Sequence, residues 1–183
     1  MPFLILLGVG LVLFGASKVS GLSMGLKDVA PEKQGGNFKK TYDQSFKRAS
    51  DKTGVPFALL KAHAIAESSL NPNAYRDESG GRSDRVGWAS RGLMQILWWP
   101  KSERWKKYGY PDSSLGADGG VMFDPDVNTY IAGRLIADNL KATDNNLRDA
   151  INMYNTGKTE AQFKAPHNYV DKVMGYYNTL VKG

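Results

Sequence analysis

The chain has 183 residues, enough to bury one sizeable core and too few for two. It contains no cysteine, which excludes a disulfide framework and any thiolate metal site. A net charge of +6 favours anionic partners, including polyanionic polymers and phospholipid headgroups. Nucleic acid is not expected among them, because Lys39, Lys40, Lys47, Arg48, Lys106 and Lys107 are scattered and build no basic block.

Residues 2–16 carry no charged or strongly polar side chain, and Lys18 follows. The run is short for a straight span of about 20 residues, but it extends through Leu22 if Lys18 snorkels. A secretory signal is the other reading, with Gly15-Ala16-Ser17 as a cleavage site, although no Lys or Arg precedes the apolar run. Residues 1–22 are therefore expected to be a membrane anchor, or else a signal. Residues 23–36 read as a flexible tether, and residues 37–183 as one folded domain.

In that domain, Asn37 is expected to cap a helix carrying Phe38, Tyr42, Phe46 and Ala49, ended by Gly54. A second helix runs from Pro56 through Phe57, Leu60 and Ala64 to Glu67, stopped by Asn71-Pro72. Residues 76–91 are polar and read as a loop, with room for a small hairpin between 75 and 91. A short helix is expected near Pro100, close to Trp98, Trp99, Trp105 and Tyr108. Asp124 caps a long helix with Pro125 in its first turn. Further helices cover Leu147 to Tyr154 and the stripe Tyr169, Val170, Val173, Tyr177 and Leu180. The expected fold is mainly α, with about six or seven helices.

Glu67 is the residue with chemical content. It sits in the last turn of its helix, where the macrodipole opposes a negative charge, and an apolar surround opposes it further. A glutamic acid still protonated near neutral pH can donate to a leaving-group oxygen, the first need of glycosidic cleavage. A glutamate at a solvated helix end is the plainer reading of that residue alone.

Glu67-Ser68, Gly92-Leu93-Met94-Gln95, Asp124-Pro125 with Asn128, and Tyr154-Asn155 with Gly157 occur in this order. Together they resemble the soluble lytic transglycosylase domain, a family with the lysozyme-like fold that cleaves peptidoglycan. The likeness covers about residues 41–180. It implies a β-1,4 bond cut between N-acetylmuramic acid and N-acetylglucosamine, with a 1,6-anhydro ring formed on the muramic acid and no cofactor. It further implies that Glu67 is both acid and base, and that Ser68 supports the substrate. Met94 and Gln95 would line the cleft, Tyr154 would hydrogen-bond Glu67, and Asn155 would contact substrate or buttress the turn. The expected partners are peptidoglycan glycan strands and, through residues 1–22, a lipid bilayer. The setting is a bacterial envelope facing the periplasm or wall, or a bacteriophage virion.

Other readings stay open on the residues. The stretch between Glu67 and Gly92 is longer than in compact family members and contains Asp77, Glu78 and Asp84. Any of these opposite Glu67 would activate water and make the enzyme a hydrolytic, goose-type-like lysozyme. A non-catalytic peptidoglycan-binding protein is the alternative from another class. His63 and Glu67 share metal-ligand spacing, but with one other histidine in the chain a structural role is expected. Trp88, Trp98, Trp99 and Trp105 are read either as sugar-stacking faces or as core. Met153, where a small residue is common, is expected to be absorbed by the core.

Overall fold

A computed structural model describes residues 26–116, 118–163 and 168–182. The expected anchor lies outside them, as does the start of the expected tether. Among the described residues no helix is long and apolar enough to cross a membrane.

Among the described residues there are five α-helices and a three-stranded antiparallel sheet. They are α1 (Asp43–Thr53), α2 (Phe57–Ser68), α3 (Pro125–Ala142), α4 (Leu147–Thr156) and α5 (Tyr169–Leu180), with β1 (Tyr75–Asp77), β2 (Ala89–Arg91) and β3 (Ile96–Trp98) between α2 and α3. The short helix expected near Pro100 is realised as 3-10 turns, such as Lys106–Tyr108. Trp98 belongs to β3 rather than to a helix. The hairpin space between 75 and 91 holds two paired strands, Tyr75 opposite Arg91 and Asp77 opposite Ala89. β3 then pairs with β2, Ala89 opposite Trp98.

α1 packs mainly on α3, α2 on α5, and α3 on α4. The core is α2, buried at every position from Phe57 to Ile65. An all-round buried helix has no polar face, so its apolar spacing carried less information than its ends did. Its exit is sharper than a proline stop. Ser69 and Leu70 both adopt left-handed backbone (φ 54° and 63°), and their N–H groups return to Ile65 and Ala64 in a left-handed helix closure. The α1 boundary also differs from expectation: Asn37 caps nothing, and the helix begins at Asp43 after Tyr42. Gly54 does end α1, in the left-handed region at φ 76°. Asp124 accepts from the N–H groups of Asp126 and Val127, and Pro125 takes the first position of α3.

Residues 26–36 are docked rather than loose. Leu26 and Val29 pack on the core, Gly35 N–H donates to Leu180 O at 2.8 Å, and Tyr177 donates its hydroxyl proton to Lys27 O. Asp28 accepts from the Phe57 and Ala58 N–H groups at 3.1 Å each. It thereby caps α2, for which Pro56 offers no side-chain cap. Gln34 reaches Asp43 at 2.7 Å and bonds the ammonium of the fully buried Lys61. Lys61 in turn pairs with Asp43 at 2.6 Å. A Gly- and Lys-rich composition reads as tether; these long-range polar contacts hold it in place.

Candidate active site

The left-handed closure leaves Glu67 at the open end of α2, on the wall of a cleft of about 580 Å³. The sheet supplies one side of that cleft through Arg76, Glu78, Ser90 and Gln95; α4 and the turn after it supply Tyr154, Asn155 and Gly157. Burial raises the Glu67 carboxyl above its ordinary range. The Tyr169 hydrogen bond and the charges of Arg76 and Lys172 partly offset this, while Glu78 reinforces it.

The partner of Glu67 is Tyr169, whose hydroxyl donates to Oε1 at 2.6 Å. The Tyr169 oxygen also lies 3.0 Å from Nδ1 of His63, one turn before Glu67 on α2. Because the tyrosine proton goes to the carboxyl, His63 must donate from Nδ1. Burial lowers its pKa to about 3, so the ring is neutral. Its Nε2 is buried with no partner. A neutral imidazole, a phenol and a carboxyl thus form one buried chain. Burial and the Glu67 charge hold the Tyr169 hydroxyl well above its usual range, so it remains a donor.

Tyr154 does not bond Glu67. Its hydroxyl donates to Met94 O at 2.7 Å, and its ring packs against His63 with centroids 4.7 Å apart. α4 points that hydroxyl across the cleft floor to the turn after β2, while α5 brings Tyr169 to the carboxyl. Tyr169 was hidden in the apolar stripe of the last helix. A phenol at position 169 was the signal available, and Tyr177 in the same stripe carries the same group.

The other expected site residues divide. Gln95 lines the cleft in left-handed backbone (φ 47°). Its Nε2 donates to Ala74 O and Gly92 O at 3.1 Å each, so the amide nitrogen is used by the backbone and Oε1 is the acceptor end. Asn155 is exposed on the cleft. Met94 is fully buried, so its side chain is core; its backbone does the work, with N–H donating to Asn128 Oδ1 at 2.7 Å. Ser68 donates to Leu93 O at 2.8 Å and is tied to the scaffold instead of facing the cleft. Met153, by contrast, lines the cleft instead of vanishing into the core.

Asn128, fully buried on α3, organises this turn. It donates to Arg91 O and Met122 O at 2.9 and 2.8 Å as well as accepting from Met94. Gly92 lies directly against it with φ 76°, and a Cβ there would meet Asn128 Nδ2 at 2.5 Å and Met122 O at 2.6 Å. The glycine is required twice, for its backbone and for its lack of a side chain.

Of the three extra carboxylates, Asp77 is exposed and is held below its usual range by the Ser79 N–H and hydroxyl. Asp84 is likewise exposed and is held low by Arg82. Glu78 alone lines the cleft, with Oε1 accepting from Arg76 at 2.6 Å and Ser90 at 2.7 Å. Trp98 and Trp105 are core. Trp88 is half-buried, covered on one face by Trp99 (4.3 Å, 14°) and approached by the Arg85 guanidinium at 5.0 Å, which leaves it no free face for a sugar.

Comparison with known proteins agrees with this architecture. The family model described as Transglycosylase SLT domain matches residues 44–172. Among solved structures, an inactive mutant of the lytic transglycosylase Slt from Pseudomonas aeruginosa matches with TM-score 0.58 and 19% identity, covering 76% of this chain and 24% of that one. The 70 kDa soluble lytic transglycosylase from Escherichia coli matches with TM-score 0.51 and 22% identity, covering 77% of this chain and 19% of that one. This chain therefore spans about a quarter or less of the length of either. At such identities the likeness is one of fold: mainly helical and lysozyme-like.

Proposed function

Because the chain belongs to the transglycosylase SLT domain family, we propose that it cleaves the β-1,4 bond between N-acetylmuramic acid and N-acetylglucosamine in peptidoglycan, without water as the nucleophile. The observation that carries this reading is Glu67, a carboxyl raised by burial on the wall of an open cleft and held by a phenol. As acid, Glu67 gives its proton to the departing glycosidic oxygen, and the C1–O bond breaks toward an oxocarbenium-like centre. The Tyr169 hydrogen bond strengthens as the carboxylate forms. As base, that carboxylate takes the proton of the muramic acid C6 hydroxyl, whose oxygen bonds to C1. Glu67 ends protonated, the product carries a 1,6-anhydro ring, and no water is consumed. Gln95 Oε1 and Asn155 are placed to meet N-acetyl or hydroxyl groups of the strand.

A second reading is favoured by one observation: Glu78 shares the cleft. If it activated water, the enzyme would be a hydrolase. The transglycosylase reading ranks first because Oε1 of Glu78 is already engaged, accepting from both Arg76 and Ser90. Digestion of purified peptidoglycan in heavy-oxygen water decides. Unlabelled products one water lighter than lysozyme products are expected; label at the new muramic acid reducing ends refutes the transglycosylase reading in favour of Glu78. The setting we propose is membrane-attached through residues 1–22, with the domain facing a bacterial wall, whether in the envelope or on a phage virion. Deletion of residues 1–22 then yields an active protein that no longer partitions with membranes.

A further inference from the structure

Two guanidinium groups line the cleft, and they differ in one respect. Arg76 is paired with Glu78 at 2.6 Å. The Arg104 guanidinium has no hydrogen bond or ion pair to any described residue; aromatic rings hold it instead. It lies 4.8 Å from the centroid of Trp105 and 5.6 Å from that of Trp99. Both rings are themselves fixed. Trp105 donates its indole N–H to Leu97 O at 3.1 Å and stacks on Tyr108 at 5.9 Å. Trp99 stacks on Trp88 at 4.3 Å, and Arg85 covers Trp88 at 5.0 Å.

The physical consequence is a cation that is positioned but not neutralised. Contact with a ring face does not consume the guanidinium N–H groups, which stay available as donors. Burial lowers the Arg104 pKa, and its favourable charge interactions are with the tyrosines Tyr108 and Tyr154, with no carboxylate among them. Arginine stays charged regardless. An exposed cation without a carboxylate partner among the described residues, in the wall of the cleft that also holds Glu67, is complementary to a carboxylate and can present two parallel donors to it.

We propose that Arg104 is a carboxylate-binding subsite, resting on the reading that the cleft takes peptidoglycan. It engages an anionic group carried by the glycan strand, either the lactyl carboxylate of peptide-free muramic acid or a carboxylate of the stem peptide. The aromatic ladder from Arg85 to Trp105 positions the guanidinium, which makes the enzyme select muramic-acid-containing strands over neutral chitin-type sugars.

The test uses the Glu67→Gln protein, so that binding is read without turnover, alone and with Arg104→Gln or Arg104→Lys added. Affinity is measured by calorimetry for three probes: N-acetylglucosamine oligomers, peptide-free glucosaminyl–muramyl oligomers, and the same oligomers bearing stem peptides. Arg104→Gln is expected to weaken muramyl binding at least about tenfold, the worth of a charge-assisted bidentate contact, while neutral oligomers change less than about twofold. Arg104→Lys is expected to recover only part, since an ammonium lacks the planar fork. Weakening on peptide-free strands identifies the lactyl group; weakening confined to peptide-bearing strands identifies the stem. Retained affinity for the neutral oligomers reports that the variant is folded. Equal weakening on all three probes makes Arg104 a wall support and overturns the proposal, as does no weakening on any. If the wild type fails to clear purified walls and the Glu67→Gln protein binds no probe, the peptidoglycan reading itself falls, and the subsite with it.

Discussion

Tyr169→Phe isolates one hydroxyl from an otherwise preserved packing. The ring still fills its half-buried place between α5 and α2, but the 2.6 Å bond to Glu67 and the acceptor for His63 Nδ1 both disappear. In the proposed mechanism Glu67 starts as the protonated acid and becomes a carboxylate in the transition state. A donor to that oxygen therefore stabilises the transition state more than the ground state, which is the condition for an effect on kcat. Hydrogen bonds to charged groups are worth about 1.5–3 kcal/mol, and each 1.36 kcal/mol is tenfold in rate. Tyr169→Phe should lower kcat by about 10- to 100-fold on soluble glycan strands, with KM changed little.

The pH profile gives the second readout of the same variant. The Tyr169 bond lowers the Glu67 pKa, so its loss removes a force opposing burial, and the pKa moves further up. Activity that needs protonated Glu67 then persists to higher pH, and the alkaline limb shifts upward. A kcat within twofold of wild type, or an alkaline limb that stays or moves down, would refute the role assigned to Tyr169.

Tyr154→Phe should behave differently, because its hydroxyl serves Met94 O rather than Glu67: a loss of about 1 kcal/mol in unfolding free energy by denaturant titration, and a smaller fall in kcat than Tyr169→Phe produces. Glu67→Gln should reduce wall clearance by at least about 10²–10⁴-fold while the fold persists. A carboxyl raised by folding binds more protons folded than unfolded, so its penalty is absent below about pH 4.3 and grows as pH rises toward the folded value. Thermal melts of Glu67→Gln against wild type should therefore shift in favour of the variant between pH 4 and 7, by the sign of that linkage. Gly92→Ala should lose both stability and activity, because its Cβ meets Asn128 and Met122 O inside 2.7 Å and displaces the turn carrying Met94 and Gln95; a melting temperature equal to wild type would contradict this. Lys61→Ala strands Asp43 in the interior and should cost about 3–5 kcal/mol by denaturant titration, whereas the double variant Lys61→Met, Asp43→Leu should recover most of it.

What could be read along the chain was local. Gly54 ends α1 and Asp124-Pro125 opens α3 because caps are made by residues within one turn of the backbone groups they satisfy. The same locality put Glu67 in the last turn of α2, and the requirement for a glycine at position 92 was visible as part of a motif. What the tertiary structure decided was which side chains meet. Tyr169 reaches Glu67 across 102 positions, displacing the expected Tyr154. Asp28 caps a helix that begins at Phe57, turning an expected tether into part of the domain. Lys61 is a charged residue on a helix with no polar face, tolerated because Asp43 and Gln34 arrive from elsewhere. Arg104 looks like one more dispersed charge until Trp99 and Trp105 are seen to hold it in the cleft. Helix ends are fixed by hydrogen bonds a few residues long, which spacing encodes directly. Partners of a buried carboxyl or of a cation in the cleft wall depend on how α5 and the β3 region close over α2, and no short spacing in the chain carries that distance.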